Sequence, residues 1–310
     1  MNKFYTLCLN ICFIFLNSCM QFGENPKGKH LEIIKDSPNY SVEDEKFVNR
    51  KEIINLGFWD DPAAWFSNNM ILNFNETVPK EVLPEIKPPD INQFLEPTDS
   101  IKFIWFGHST LLINIQNTII LVDPVFSKSA SPVNFIVPRF QPPVLEINKL
   151  PNIDYILISH DHYDHLDHFT IKRIRDKVRQ FIVPVGVDNH LRGWGVKEER
   201  MAKLNWNENI SIDGIEITCL PSSHFSGRGL FNRKSTLWGS WAIKDKNINI
   251  YFSGDTGYGD HFKDIGRDYG PFDLVLLDTG QYNSAWKYSH MFPFESVRAA
   301  KDLNSQFFMP

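Results

Sequence analysis

The sequence is poor in cysteine, carries no surplus of positive charge and holds no apolar run suited to crossing a membrane; each lack removes a class of protein. Cysteine accounts for 4 of 310 residues, at positions 8, 12, 19 and 219. Cys8 and Cys12 fall in an amino-terminal segment with the character of a cleaved signal, so a mature chain keeps Cys19 and Cys219, too few for a disulfide framework. Lysine and arginine total 32 against 37 acidic residues, a net charge of −5. The basic residues are scattered, which excludes a nucleic-acid-binding stripe and leaves nucleic acid only as a small-footprint substrate. The apolar run from Phe4 to Leu16 is interrupted by Asn10 and followed by Asn17, too short for a comfortable span. Internal repeats and low-complexity blocks are absent as well.

What stands at the amino terminus is Lys3, the apolar run and then Leu16-Asn17-Ser18-Cys19. The Leu-x-Ser-Cys ending resembles the lipobox of bacterial lipoproteins, in which the cysteine is acylated and becomes the mature terminus. Residues 1–19 are therefore expected to be a lipoprotein signal peptide, with Cys19 lipidated and the protein anchored in the bacterial cell envelope, periplasmic or at the outer membrane. Residues 20–100 are polar with scattered proline (Pro79, Pro84, Pro88, Pro89, Pro97) and read as a tether and arm. A helix is expected over Val42 to Leu56, and Phe58-Trp59 with Trp65-Phe66 could pin the arm to the body.

From Ile101 to Pro310 the texture changes to short apolar runs between turn residues, the mark of one large α/β body. Strands are predicted over 101–106, 110–115, 118–122, 153–158, 181–185, 210–220, 237–243, 248–252 and 274–277, with Gln116-Asn117 as a hairpin turn. Helices are predicted over 170–178, 258–267 and 293–303, the last with proline in its first turn. Strands that arrive in a block and then alternate with helices imply sheets covered by helices. Cys219, in the strand-like Ile215 to Leu220, is expected in the core.

The densest chemistry lies in His160-x-His162-x-Asp164-His165, four metal-ligand types within six positions after an apolar run, Ile153 to Ile158. Neutral imidazoles and carboxylates are the donors that zinc and its neighbours prefer. An extended segment ending near Ser159 points His160 and His162 to one side, and Asp164 and His165 follow from the turn. His224, in Leu220-Pro221-Ser222-Ser223-His224, and Asp255, in Ser253-Gly254-Asp255-Thr256-Gly257, both follow strands and could face the same centre. Each alone is a weak signal.

The order His-x-His-x-Asp-His, a lone His and an Asp at a strand end resembles the metallo-β-lactamase superfamily, whose α/β fold is a four-layer αβ/βα sandwich with metals at the sheet edges. Within it, Trp105-Phe106-Gly107-His108-Ser109-Thr110, Asp123-Pro124-Val125-Phe126-Ser127, Ala130-Ser131-Pro132, Leu237-Trp238-Gly239-Ser240-Trp241, Gly254-Asp255-Thr256-Gly257-Tyr258 and Gly270-Pro271-Phe272-Asp273-Leu274 look like the N-acylphosphatidylethanolamine-hydrolysing phospholipase D family. The resemblance implies two Zn2+, with His160, His162 and His224 on one, Asp164 and His165 on the second, and Asp255 bridging. The family adds one further His in a His-Trp-Gly segment; this sequence stops at Gln306-Phe307-Phe308-Met309-Pro310, so the domain is expected to be incomplete, without its last strand and helix and short of one ligand at the second metal.

That resemblance further implies phospholipase D-type cleavage of N-acylphosphatidylethanolamine to phosphatidic acid and an N-acylethanolamine. Asp164 would orient the attacking water and His290 would assist the leaving group or bind phosphate. His108 and Asp123 would orient ligands from behind or brace the sheet. Around His290 the pattern departs, with Ser289 and Phe292-Pro293-Phe294-Glu295 where the family has Gln and Asp-Pro-Glu-Glu; this puts the lipid, more than the chemistry, in question. The alternatives are a hydrolase of a lactone or soluble phosphodiester, and a non-catalytic lipoprotein with a defective metal site. His30, His190 and His261 have no motif context and are expected at the surface.

Overall fold

Leu111-Leu112-Ile113-Asn114-Ile115 and Thr118-Ile119-Ile120-Leu121-Val122 are apolar on both faces, as strands covered on both sides must be. In the computed structural model, which describes residues 20–53, 81, 87–132, 137–229, 231–280 and 286–310, both lie wholly buried. Cys19, Phe58-Trp59, Trp65-Phe66, Pro79 and Pro84 lie outside the described residues.

One six-stranded sheet runs β3 (Ile101–Trp105), β4 (Leu111–Ile115), β5 (Thr118–Val122), β6 (Ile153–Leu157), β7 (Val178–Pro184), β8 (Met201–Leu204). The first three strands are antiparallel and the rest parallel to β5. The second sheet runs β14 (Ser305–Met309), β13 (Phe272–Leu276), β12 (Asn249–Phe252), β11 (Ser240–Lys244), β10 (Ile215–Leu220), β9 (Asn209–Ile212). Alternation divides the side chains among three cores. Ile113, Val122, Tyr155 and Leu157 of the first sheet meet Ile217, Cys219, Trp241 and Phe252 of the second between the sheets. Leu112, Leu121 and Ile156 face outward onto Ile171 and Ile174 of α3 (His168–Ile174) and Leu191 of α4 (Asp188–Gly193). Tyr251 and Val275 face the other way onto Phe262 and Ile265 of α5 (His261–Asp268), Ala299 of α6 (Pro293–Asp302) and Leu303 just past its end. Helix, sheet, sheet, helix is the expected four-layer sandwich.

Three local expectations change. The run 210–220 is a hairpin, β9–β10, because Asp213-Gly214 both take positive φ (52° and 77°) and reverse the chain. Gln116-Asn117 does the same as predicted, at φ 47° and 67°. The segment read as a helix from Val42 instead turns and forms β2 (Lys46–Phe47), which pairs with β1 (Tyr40–Ser41) just before it, with no helix through residue 53; residues 54–56 lie outside the described residues. Phe47 is fully buried in the inter-sheet core, and that tertiary contact overrides helix propensity. Strand β11 begins at Ser240 rather than Leu237, since Leu237 and Gly239 instead donate to Val185 and Ser159 of the opposite sheet's loops.

Residues 20–53 lie against the body. Ile34, from α1 (Lys29–Lys35), enters the inter-sheet core; Met20 and Gln21 accept bonds from Trp194 and Arg228 through their carbonyls. A short α2 (Ile91–Leu95), capped by Asp90, leads into β3. Among the described residues no helix is long and apolar enough to cross a membrane.

Candidate metal centre

The loop leaving β6 is fixed at both ends. Ser159 donates through its backbone N–H and its hydroxyl to Asp123, at 2.7 and 2.6 Å, and Asp123 is fully buried at the end of β5. Leu166 N–H returns to His162 C=O at 2.8 Å, and Asp167 caps α3 while accepting from Ser127 N–H. Between these anchors His160, His162, Asp164 and His165 project from one strand end, while β10 delivers His224, β12 delivers Asp255 and β13 delivers Asp278.

Three donor groups result, the atoms of each within 4.8 Å of one another: His160, His162, His224 and Asp255; His108, Asp164 and His165; Asp255, Asp278 and His290. His160 Nε2 lies 2.9 Å and His224 Nε2 3.3 Å from His162 Nδ1. Asp255 joins the first two groups: its Oδ2 is 3.8 Å from His160 Nε2 and 3.7 Å from His224 Nε2, and its Oδ1 is 3.1 Å from His165 Nε2. His108 Nε2 stands 3.1 Å from Asp164 Oδ2.

The hydrogen bonds behind these rings assign their tautomers. His224 Nδ1 faces the carbonyl of Ser289 at 3.0 Å, so Nδ1 carries the proton and Nε2 presents a lone pair. His165 Nδ1 faces Asp123 Oδ2 at 2.7 Å, so Nδ1 carries a proton and Nε2 is the atom left for a cation in place of a second proton. Ser159 Oγ gives its proton to Asp123 and can only accept from His160 Nδ1, which turns the His160 Nε2 lone pair inward too. His165 Nε2 is buried and makes no hydrogen bond despite its closeness to Asp255. The Nε2 lone pairs of His160 and His224 converge with the Asp255 carboxylate, an arrangement that repels unless a cation lies among them, so this donor set fits metal ions.

Charge follows the same division. Burial, then the neighbouring imidazoles, hold His160 well below the usual imidazole range; burial holds His224 there too, against the opposing pull of Asp255. Burial opposes charge on His165 as well, but Asp255, Asp164 and Asp123 outweigh it and hold this ring well above that range. Burial would raise Asp164 and Asp255, yet His165 with His108 on one, and His165, His290 and His224 on the other, pull both carboxyls below the usual range. Asp255, Asp164 and Asp123 thus surround His165 with carboxylates whose charge protons on the neighbouring rings balance in the metal-free chain and a bound cation would balance in their place.

The structure thus brings together all six residues read as metal donors. Asp123 backs His165. His108, expected behind the ligands, stands half-exposed at the rim of the second group with Nε2 beside Asp164, where it can orient that carboxylate or join it as a donor. His290 lies beside the centre, its Nδ1 3.0 Å from Asp278 Oδ2 and its Nε2 4.0 Å from Asp255 Oδ2. Asp278 escaped the sequence reading although it follows β13 as Asp255 follows β12; the same strand-end position was its signal.

His190 and His261 are buried, not surface residues. His190 Nε2 lies 3.0 Å from Asp161 Oδ2, and Asp161 also accepts from Gly227 N–H and Thr236 Oγ, so a carboxylate inside the metal loop recruits the ring into the interior. Arg228, fully buried, donates to the carbonyls of Asp161 and Leu166 at 2.6 Å each. His261 meets Thr256 Oγ at 3.2 Å beneath the Asp255 loop.

Comparison with known proteins agrees with this geometry. Residues 118–310 match the family model of the beta-lactamase superfamily domain. An uncharacterized protein of Mycobacterium tuberculosis is 40% identical over 283 residues, covering 87% of this chain and 72% of that one. N-acyl-phosphatidylethanolamine-hydrolyzing phospholipase D 1 of Caenorhabditis elegans is 37% identical over 210 residues, 64% of this chain and 59% of the worm protein. Among solved structures, CmlA, a diiron beta-hydroxylase from Streptomyces venezuelae, superposes with a TM-score of 0.51 at 20% identity, over 66% of this chain and 43% of that one; it shares the fold alone. The matched domain, the sandwich and the strand-end donor groups lead to one assignment: the chain belongs to the metallo-β-lactamase superfamily.

Proposed function

We propose that this metal-dependent hydrolase cleaves a lipid phosphodiester, by phospholipase D-type hydrolysis of N-acylphosphatidylethanolamine to phosphatidic acid and N-acylethanolamine. The observation that carries the reading is Asp255, whose two oxygens face two separate donor groups, the arrangement a two-metal phosphodiesterase needs. The likeness to the worm phospholipase supports the substrate class. His and carboxylate donors suit zinc, and two Zn2+ are the proposed cofactors.

When bound, the two cations supply Lewis acidity that activates water and neutralises phosphoryl charge. The protein's own groups do the rest. Asp164, with Oδ2 turned to His108, is placed to orient the attacking water. In the metal-free chain burial works against charge on His290, but Asp255 and Asp278 outweigh it and raise the ring to about 9; Asp278, at 3.0 Å from Nδ1, keeps a proton on the ring beside the centre. That proton can pass to the leaving oxygen or fix a phosphate oxygen. The lipobox-like cysteine, Cys19, would hold the enzyme at the bacterial cell envelope, beside a phospholipid substrate.

The test is turnover of micellar N-acylphosphatidylethanolamine against soluble phosphodiesters and lactones by the metal-loaded chain. Preference for the micellar lipid is expected; equal or faster turnover of a soluble ester overturns the lipid assignment.

A further inference from the structure

We infer that Asn49, in the amino-terminal arm, is a positioning residue for His224 and hence for the cation that His160, His162 and His224 would share; the inference rests on the metal centre described above. The Asn49 side chain pairs with both backbone groups of His224: its Nδ2 donates to the His224 carbonyl at 2.8 Å, and its Oδ1 accepts from the His224 N–H at 3.2 Å. A primary amide, as in asparagine or glutamine, carries a donor and an acceptor side by side and so can serve the C=O and the N–H of one residue together. His224 has left β10 at Leu220, so no strand partner holds its backbone, and Asn49 takes that place.

The imidazole is then fixed from two sides. Its backbone is held by Asn49 and its Nδ1 by the carbonyl of Ser289, which leaves Nε2 aimed at His162 and Asp255. The arm that supplies Asn49 is itself anchored two residues earlier by Phe47, which is fully buried and donates its N–H to Lys234 C=O at 2.9 Å. Asn49 precedes the matched family domain by many residues, so the arm contributes to the centre from outside it. Its neighbour Arg50 instead forms a half-exposed pair with Asp264 at 2.8 Å, a contact of the same arm that does not touch His224.

The experiment titrates the metal-free full chain with cobalt(II), following the visible absorption and chelator competition, and records the thermal midpoint of each metal-free variant. Asn49→Ala is expected to weaken the class of sites lost in His224→Ala by about tenfold or more and to shift its absorption, the scale of losing a group that orients a ligand. Arg50→Ala is expected to stay within about twofold of wild type, as an exposed pair should. Asn49→Asp keeps the acceptor for His224 N–H and loses the donor to its carbonyl; it is expected to weaken the same class and serves as the readout if Asn49→Ala does not fold. Wild-type affinity and spectrum in the Asn49 variants overturn the inference. So does an equal loss in Arg50→Ala that tracks the fall in thermal midpoint, because it marks a merely structural role. A wild-type chain that takes up no cobalt overturns the metal centre itself, and this inference with it.

Discussion

The half of the centre that gathers His160, His162 and His224 is closed, whereas the half that gathers His108, Asp164 and His165 opens to solvent. In the first half His160 and His224 are each about 1% exposed, and their outer nitrogens are tied to Ser159 and Ser289. In the second, the side chains of His108 and Asp164 are 49% and 38% exposed, and only His165 is held from behind, by Asp123. Preorganised donors lose little freedom on binding, so the closed half should hold its cation more tightly, while the open half faces substrate. Asp255 belongs to both and ties a structural commitment to a reactive one.

The largest effect should come from removing a donor of the closed half. His224→Ala is expected to lower metal content by about one ion per chain and hydrolysis by more than about a hundredfold, the upper limit for losing a supporting group; metal analysis beside steady-state kinetics checks it. An unchanged metal content would erase the distinction between the halves.

Next is the support of the open half. Asp123→Ala removes the acceptor of Ser159 N–H, Ser159 Oγ and His165 Nδ1 in a fully buried place, at about 1–3 kcal/mol for each group left unsatisfied. It should weaken the second cation by about 10–100-fold and lower the melting temperature. His108→Ala, which removes a half-exposed donor, should weaken that cation with the melting temperature unmoved, because no buried partner is stranded.

A smaller effect is expected from the arm. A Cβ at Gly23 would stand 2.2 Å from His190 Nδ1, and the residue's φ is +71°. Gly23→Ala should therefore push the arm from the Asp161–His190 pair, lowering the melting temperature by about 2–4 °C for each kcal/mol lost. Circular-dichroism melts against wild type measure this.

The subtlest separation is by pH in the metal-free chain. His160 and His224 are depressed by burial, so their contribution to stability is present above the unfolded imidazole value of about 6.5 and is lost as pH falls through their folded values. His165 is raised by its carboxylates against burial, so its contribution is present below about 6.5 and is lost as pH rises through its folded value. Replacing His165 should thus flatten the alkaline side of the stability profile, and replacing His160 the acid side; denaturant midpoints across pH report both.

Much of this was legible in the sequence because strand ends announce themselves. The apolar run before His160 and the short strands before His224 and Asp255 placed the donors at strand ends that could face one centre, and the two-sided apolar runs of β4 and β5 implied a covered sheet. What could not be read depends on long-range contact. Nothing local in Asn49 reveals that it meets His224, 175 positions away. His190 looks like any polar helix residue until Asp161 arrives from the metal loop. The β1–β2 ribbon exists because Phe47 has an inter-sheet core to enter, a tertiary gain invisible to periodicity.

The most direct measurement is a cobalt(II) titration of the metal-free wild-type chain alongside His224→Ala and His108→Ala. The account predicts two ions per wild-type chain in two affinity classes, the tighter lost in His224→Ala and the weaker lost in His108→Ala. One class of sites, or equal loss from both variants, would contradict the division of the centre into a closed and an open half.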